Sequence, residues 1–251
     1  MASPASIVKA FGRSLRNSGR NFVRRRSVWP QVGKVNFGDL GQTEPVGRSF
    51  GLERGGPIDR FYIEKFLQEF TDDIGGVGLE IAEDRYLQQF GGKRLQHADI
   101  LHYDGTDCPE ATIIGDLCDL PQVPDNSYDC FILTQTLQYI FEPSRAVAEI
   151  QRILKPGGVC LCSCSGITQI SDYDQGNWGE YWRFTEDSMT RLFTEGFGAD
   201  AVKARSYGNV YSAVAFLEGL GMEDVEIEKL DIRDPAYQMV VCVRAQKAAR
   251  Q

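Results

Sequence analysis

The chain has 251 residues, 42% of them hydrophobic, and a net charge of −8. That length suits one large domain or a domain with an appendage, and no apolar run approaches the ~20 residues a membrane span needs. The charge is unevenly divided. Residues 1–38 hold eight basic side chains and no acid, so the remainder carries −16 and is a poor candidate for nucleic-acid binding.

Seven cysteines, an odd number without a signal-peptide pattern, point to a reducing compartment and a cytoplasmic location. Cys160, Cys162 and Cys164 alternate along one segment and would share a strand face. His97 and His102 lie far from them in sequence, so small buried residues are expected there and no metal site.

The first ~35 residues are rich in Arg and Ser, with Ile7, Phe11, Leu15 and Phe22 near helical spacing. Three readings stay open: a loosely docked tail, a peripheral contact with an anionic membrane surface, or a targeting peptide. Pro45, Gly47, Gly51, Gly55 and Gly56 mark a linker or wrapped loop, giving an extension over 1–50 and a domain over 51–251. Pro57 then opens a helix whose Ile58, Phe61, Tyr62, Phe66, Leu67 and Phe70 form one apolar face. Asp59-Arg60 reads as a surface ion pair on it.

Gly76 to Ala82 reads as a first strand, and Lys93 to Leu101 as a second. Glu83 and Asp84 at the end of the first would repel a pyrophosphate, which argues against a dinucleotide or a nucleoside triphosphate. Asp84 is equally readable as a cap on the next helix. Asp99 follows Glu80 by nineteen residues, where nucleotide-binding α/β proteins place an acid on the ribose hydroxyls; a surface acid in a loop is the alternative. Ala111 to Ile114 is a third strand, ending at Asp116-Leu117.

Tyr128 to Leu133 is a fourth strand, followed by Thr134-Gln135-Thr136. A helix over Ser144 to Leu154 turns Ala146, Val147, Ile150, Ile153 and Leu154 to one side and stops at Lys155-Pro156-Gly157-Gly158. Val159 to Cys164 is the next strand. Strand, helix and strand in that span make a right-handed crossover in a parallel sheet. The Gly166–Glu180 loop reads as functional from its length. Trp178, Tyr181 and Trp182 offer flat faces to a sugar or ring, and Arg183 a charge for a carboxylate or phosphate. Trp182 and Phe184 also read as anchors for a helix capped by Thr185. Two closing strands, within Phe197–Ser206 and Gln238–Arg244, flank a helical excursion over Ser212 to Leu220.

The Asp116-Leu117 pair, Leu120-Pro121, the Pro124-Asp125-Asn126-Ser127 turn, Tyr128-Asp129 and the run Glu149-x-x-Arg152-x-Leu154-Lys155-Pro156-Gly157-Gly158 resemble the middle of a class I S-adenosylmethionine-dependent methyltransferase. The likeness runs from about Gly76 to Gly166. Pro57-Ile58-Asp59-Arg60 and Tyr181-Trp182-Arg183-Phe184-Thr185 resemble a bacterial subgroup associated with glycan-modifying enzymes. The resemblance implies a Rossmann-like α/β fold: a mostly parallel seven-stranded sheet with helices on both faces and an antiparallel closing hairpin. It implies S-adenosyl-L-methionine as cofactor and a small-molecule or glycan acceptor. Ala82, Asp84 and Tyr86 stand where the family has the glycines of a Gly-x-Gly-x-Gly turn. Acids near that turn suit a ligand bearing an ammonium and a sulfonium.

The cofactor side is then expected at Glu80, Ala82, Glu83, Asp84, Asp99, Ile100, Asp116, Leu117 and Thr134, with Asp116 meeting the adenine. The acceptor side is expected at His102, Trp178, Tyr181 and Arg183. Asp172, Asp174, Glu180 and His102 are the candidate bases, and none is singled out. A catalytically silent binding module with the same fold is the competing reading, and a nicotinamide oxidoreductase a weaker third.

Overall fold

The computed structural model describes residues 29–106 and 108–249. Of the amphipathic stretch expected over the first ~35 residues, Ile7, Phe11, Leu15 and Phe22 all fall within residues 1–28, outside the described residues. The chain divides into two compact units, Met1–Pro45 and Val46–Gln251. In the first, Asn36 Oδ1 accepts from the Gly38 backbone N–H at 2.9 Å and starts a short 3-10 turn over Gly38–Leu40. Everything that follows concerns the second unit.

Its centre is a seven-stranded sheet: β1 (Gly76–Ile81), β2 (Leu95–His102), β3 (Ile113–Ile114), β4 (Tyr128–Thr134), β5 (Leu154–Ser165), β6 (Val202–Tyr207) and β7 (Val240–Gln246). The order across the sheet is β3-β2-β1-β4-β5-β7-β6. The first five strands are parallel, and β7 runs antiparallel to both β5 and β6. This is the Rossmann-like architecture with a closing hairpin. The chain leaves β1 for β2 on one side and returns to β4 on the other, so the order reverses at the β1/β4 junction. Ligand crevices of open α/β sheets form at such a reversal, outside the carboxyl ends of the strands.

Strand alternation fills two apolar layers. On one face, Leu79, Phe131, Leu133, Cys160, Cys162 and Cys164 pack under α2 (Pro143–Ile153) and α4 (Glu186–Phe197). On the other, Cys130, Ile132, Leu161 and Cys242 meet α1 (Ile58–Glu69) and α5 (Val210–Leu217). The three alternating cysteines therefore share one buried face, with Cys162 and Cys164 sulfurs 3.8 Å apart. Among the described residues, no group of three His, Cys, Asp or Glu is placed to hold a metal ion, and no helix is long and apolar enough to cross a membrane.

Helix starts follow from local chemistry. Thr185 and Ser188 exchange side-chain-to-backbone bonds at the head of α4, and Asn209 and Ser212 do the same for α5. At the end of α2 the chain turns straight into β5, which begins at Leu154, five residues earlier than the apolar run suggests. Gly157 has φ +84°, and a Cβ on Gly158 would meet the Lys155, Tyr128 and Asp129 carbonyl oxygens at 2.9–3.1 Å. The Pro-Gly-Gly sequence thus lets the strand close on β4 immediately after the helix.

Candidate functional site

A cleft of about 710 Å³ lies over the carboxyl ends of the parallel strands. Its floor is Ile81–Glu83 after β1, Leu101–Tyr103 at β2, Gly115–Cys118 after β3, Thr134–Thr136 after β4 and Ser165 at β5. One wall is the first turn of α1 with Asp59 and Arg60; the other carries Tyr139, Asp174, Trp178, Glu180 and Tyr181.

The turn after β1 is tightly folded on itself. Ala82 has φ +64°, the left-handed conformation that glycine favours. Its N–H donates to Leu101 O at 3.0 Å, and the Glu83 N–H donates to Ile81 O at 2.8 Å. Glu80 is buried beneath the turn, and its carboxylate accepts from the Tyr86 and Leu87 N–H groups at 3.2 and 2.8 Å. Burial pushes its pKa to about 8, against the lowering effect of those two N–H groups. Glu80 therefore anchors the helical turn that follows and lies behind the cleft. Asp84 also turns away, with its carboxylate accepting from Gln88 Nε2 at 2.8 Å. Ala82, Glu83 and Tyr86 face the cleft, and Tyr86 is almost fully buried.

Asp99 does not reach the cleft. It lies three residues before the end of β2, opposite Leu79 of β1. Its oxygens accept from Thr112 Oγ1 at 2.8 Å and the Tyr128 hydroxyl at 3.0 Å. Burial and the carboxylate raise the Tyr128 pKa well above the phenol range. The strand runs on past the point that chain spacing suggested, so Asp99 and Ile100 are interior to the sheet and His102 and Tyr103 occupy its tip. Asp116, Leu117 and Thr134 do line the cleft. Asp116 Oδ1 accepts from the Cys118 N–H at 2.8 Å, which fixes the loop under its second oxygen.

His102 is held by the Gly105 N–H, which donates to Nδ1 at 3.0 Å. Nδ1 also lies 3.3 Å from Asp104 Oδ1. The ring lines the cleft, and His102 keeps its place among the candidate bases. Trp178 packs beside it with ring centres 6.4 Å apart, and Tyr139 lies 6.1 Å from Trp178 on the other side. The Tyr139 hydroxyl donates to Asp174 at 2.9 Å. Asp174 sits on α3 (Asp172–Trp178), a helix unforeseen within the Gly166–Glu180 loop and capped by Ser171.

Arg183 is not a ligand clamp. It pairs with Glu180 at 2.6 Å and donates to Gln169 O at 2.8 Å, so it holds Glu180 from behind the wall. The Trp182 indole donates to Ile140 O at 3.0 Å and Phe184 is buried, which fits the anchoring role. Below them Gln138 Nε2 donates to Gln135 Oε1 at 3.0 Å and to Ser165 Oγ at 3.1 Å.

Sequence reasoning missed several cleft residues, among them Asp59, Arg60, Gln138 and Tyr139. Asp59 and Gln138 share a property, since Asp59 Oδ1 and Gln138 Oε1 are buried with no hydrogen-bond partner in the protein. Burial pushes the Asp59 pKa to about 6, against the opposing pull of Arg60. Asp59-Arg60 is thus part of the cleft wall, contrary to its reading as a surface pair. The signal was present in Pro57-Ile58-Asp59-Arg60, but helical periodicity alone cannot place a helix end over strand tips. The cleft carries the acids Asp59, Glu83, Asp116, Glu142, Asp174 and Glu180 against Arg60 and Arg145. Its excess of carboxylates and its two bare acceptors suit a cationic, donor-bearing ligand.

The sequence profile of a methyltransferase domain matches residues 84–162. No curated protein matches the chain. Among solved structures, an S-adenosylmethionine-dependent methyltransferase from Archaeoglobus fulgidus aligns at 11% identity over 75% of this chain and 94% of its own, with a TM-score of 0.51. The phosphoethanolamine N-methyltransferase 2 of Haemonchus contortus, solved with S-adenosyl-L-methionine, aligns at 13% identity over 84% of this chain and 55% of its own, also at 0.51. These likenesses establish a Rossmann-like methyltransferase fold. The domain match supports a class I methyltransferase and indicates S-adenosylmethionine as its cofactor.

Proposed function

We propose that the protein transfers a methyl group from S-adenosylmethionine to a small acceptor, a sugar or glycan intermediate being the class that the flat faces of Trp178 and Tyr181 favour. The observation that carries this is the acid-rich cleft at the β1/β4 reversal, whose buried Asp59 and Gln138 oxygens lack protein donors. When bound, the cofactor supplies an electrophilic methyl on a sulfonium with a neutral thioether as leaving group. The chain's own work is to bind, align and exclude water. Asp116 and Leu117 hold the adenine side, and Thr134 and Ala82 border the reacting centre. Trp178, Tyr139 and Tyr181 form the acceptor wall. Asp174, already accepting from Tyr139, is the cleft carboxylate placed to take a proton from a hydroxyl or ammonium acceptor.

Calorimetric titration with S-adenosylmethionine and S-adenosylhomocysteine tests the reading. Binding is expected in the micromolar range and weakens about tenfold, or 1.4 kcal/mol, in Asp116→Ala. Absence of heat with both compounds defeats it. Transfer of labelled methyl to neutral and amino sugars then assigns the acceptor.

A further inference from the structure

Much of the turn that would receive the cofactor's amino-acid end is already committed. The N–H groups of Ala82, Glu83, Tyr86 and Leu87 are all spent, on Leu101 O, Ile81 O and the Glu80 carboxylate. The Ala82 and Tyr86 side chains also line the cleft, where bare backbone would approach a ligand. Yet an α-ammonium and an α-carboxylate both need partners once they leave water.

Two charges of the right signs stand beside the turn. Asp59 and Arg60 are consecutive at the start of α1, and both line the cavity beside Ala82, Glu83 and Tyr86. Asp59 Oδ1 is buried and has no donor. Arg60 makes one long hydrogen bond, to the Tyr86 hydroxyl at 3.3 Å, and lies 3.9 Å from Glu83. A guanidinium has five N–H donors, so most of its capacity remains for a planar anion.

We infer that Asp59 and Arg60 form a clamp for the zwitterionic end of the cofactor, with Asp59 accepting from the α-ammonium and Arg60 donating to the α-carboxylate. Recognition normally expected of the glycine turn is thereby moved to the N-terminal helix. The inference rests on the proposed cofactor reading. It also accounts for a buried carboxyl oxygen that lacks a donor, which would otherwise cost stability with no return. Burial alone pushes that carboxyl toward neutrality, and an ammonium partner restores its charge.

The test compares S-adenosylhomocysteine with 5′-methylthioadenosine, which keeps the adenosine and thioether but lacks the amino-acid end. Both are titrated calorimetrically into the full chain and into Asp59→Asn and Arg60→Gln. Wild type should prefer S-adenosylhomocysteine, and each variant should weaken it about tenfold while 5′-methylthioadenosine stays within about twofold. Unchanged S-adenosylhomocysteine binding in both variants overturns the clamp. So does a parallel loss for both compounds, which would mark general damage to the cleft. Wild-type protein that binds neither compound defeats the cofactor reading itself, a different outcome from either.

Discussion

Arg152, in the last turn of α2, ties the loop carrying Asp116 and Leu117 to the body of the domain. Its guanidinium donates to Leu120 O at 2.9 Å, Val123 O at 2.8 Å, Asp125 at 2.7 Å and Glu149 at 2.6 and 3.0 Å. Glu149 in turn accepts from the Leu120 N–H at 2.9 Å, and its pairing with Arg152 holds it below the usual carboxylate range. Arg152→Met keeps the aliphatic stem and deletes every one of these donors. Hydrogen bonds to charged groups contribute about 1.5–3 kcal/mol each, and within one network they do not add. The side chain is also 29% exposed, so water rescues part of the loss. A net cost of about 3 kcal/mol follows, which for a domain of this size lowers the melting temperature by about 6–12 °C. Arg152→Lys should recover little, since an ammonium cannot bridge two carbonyls and two carboxylates in one plane. The control is Arg191→Met, whose ion pair with Glu195 joins side chains 85% and 62% exposed; it should cost under about 0.5 kcal/mol. Thermal unfolding by circular dichroism reads all three. Equal, small shifts for Arg152→Met and Arg191→Met would refute the reasoning, and so would full rescue by lysine.

Two further substitutions separate roles that the sequence alone confuses. Glu80 has a pKa of about 8 in the folded protein against 4.5 as an ordinary carboxyl. The folded state therefore binds this proton more tightly, and its stabilising contribution is complete below about 4.5 and lost as pH rises through about 8. Glu80→Gln should flatten the decline of melting temperature across that window; profiles that stay parallel would contradict the assigned burial. Asp99→Ala should leave S-adenosylhomocysteine affinity within about twofold of wild type, while stranding the Tyr128 hydroxyl at a cost of about 1–3 kcal/mol. A tenfold affinity loss with intact stability would return Asp99 to the cofactor site.

The elements that could be read in the sequence are those set by neighbours in the chain. The β4–α2–β5 crossover showed in its apolar runs and in the Pro-Gly-Gly stop, and the α4 start in its Thr185 cap. Cys160, Cys162 and Cys164 alternate into one buried layer, as period two requires. What could not be read depended on where strands end and on what lies over them. Spacing from Glu80 singled out Asp99, but the tip of β2 lies three residues later, so the residues at the cleft are His102 and Tyr103. Arg183 looked like an anion holder because Glu180, its partner, was read as an independent acid. Asp59-Arg60 looked like surface because the apolar face of α1 excludes both. Only the packing of that helix across the strand tips makes them part of a site.

The closed turn after β1 and the charged wall of α1 complement each other. A glycine at position 82 serves a left-handed backbone, and alanine can adopt φ +64° at a cost of about 1–2 kcal/mol, so the strand still turns at that point. Glu80 still secures the following helical turn through the Tyr86 and Leu87 N–H groups. What alanine, aspartate and tyrosine cannot supply is open backbone for a ligand to lie against. Tyr86 fills that space, and its hydroxyl accepts from Arg60. Tyr86 therefore both fills the turn and orients the guanidinium that we assign to the clamp. On this account Tyr86 and Arg60 belong to one device, and the turn and helix α1 must be read together for the cleft to have a recognisable chemistry.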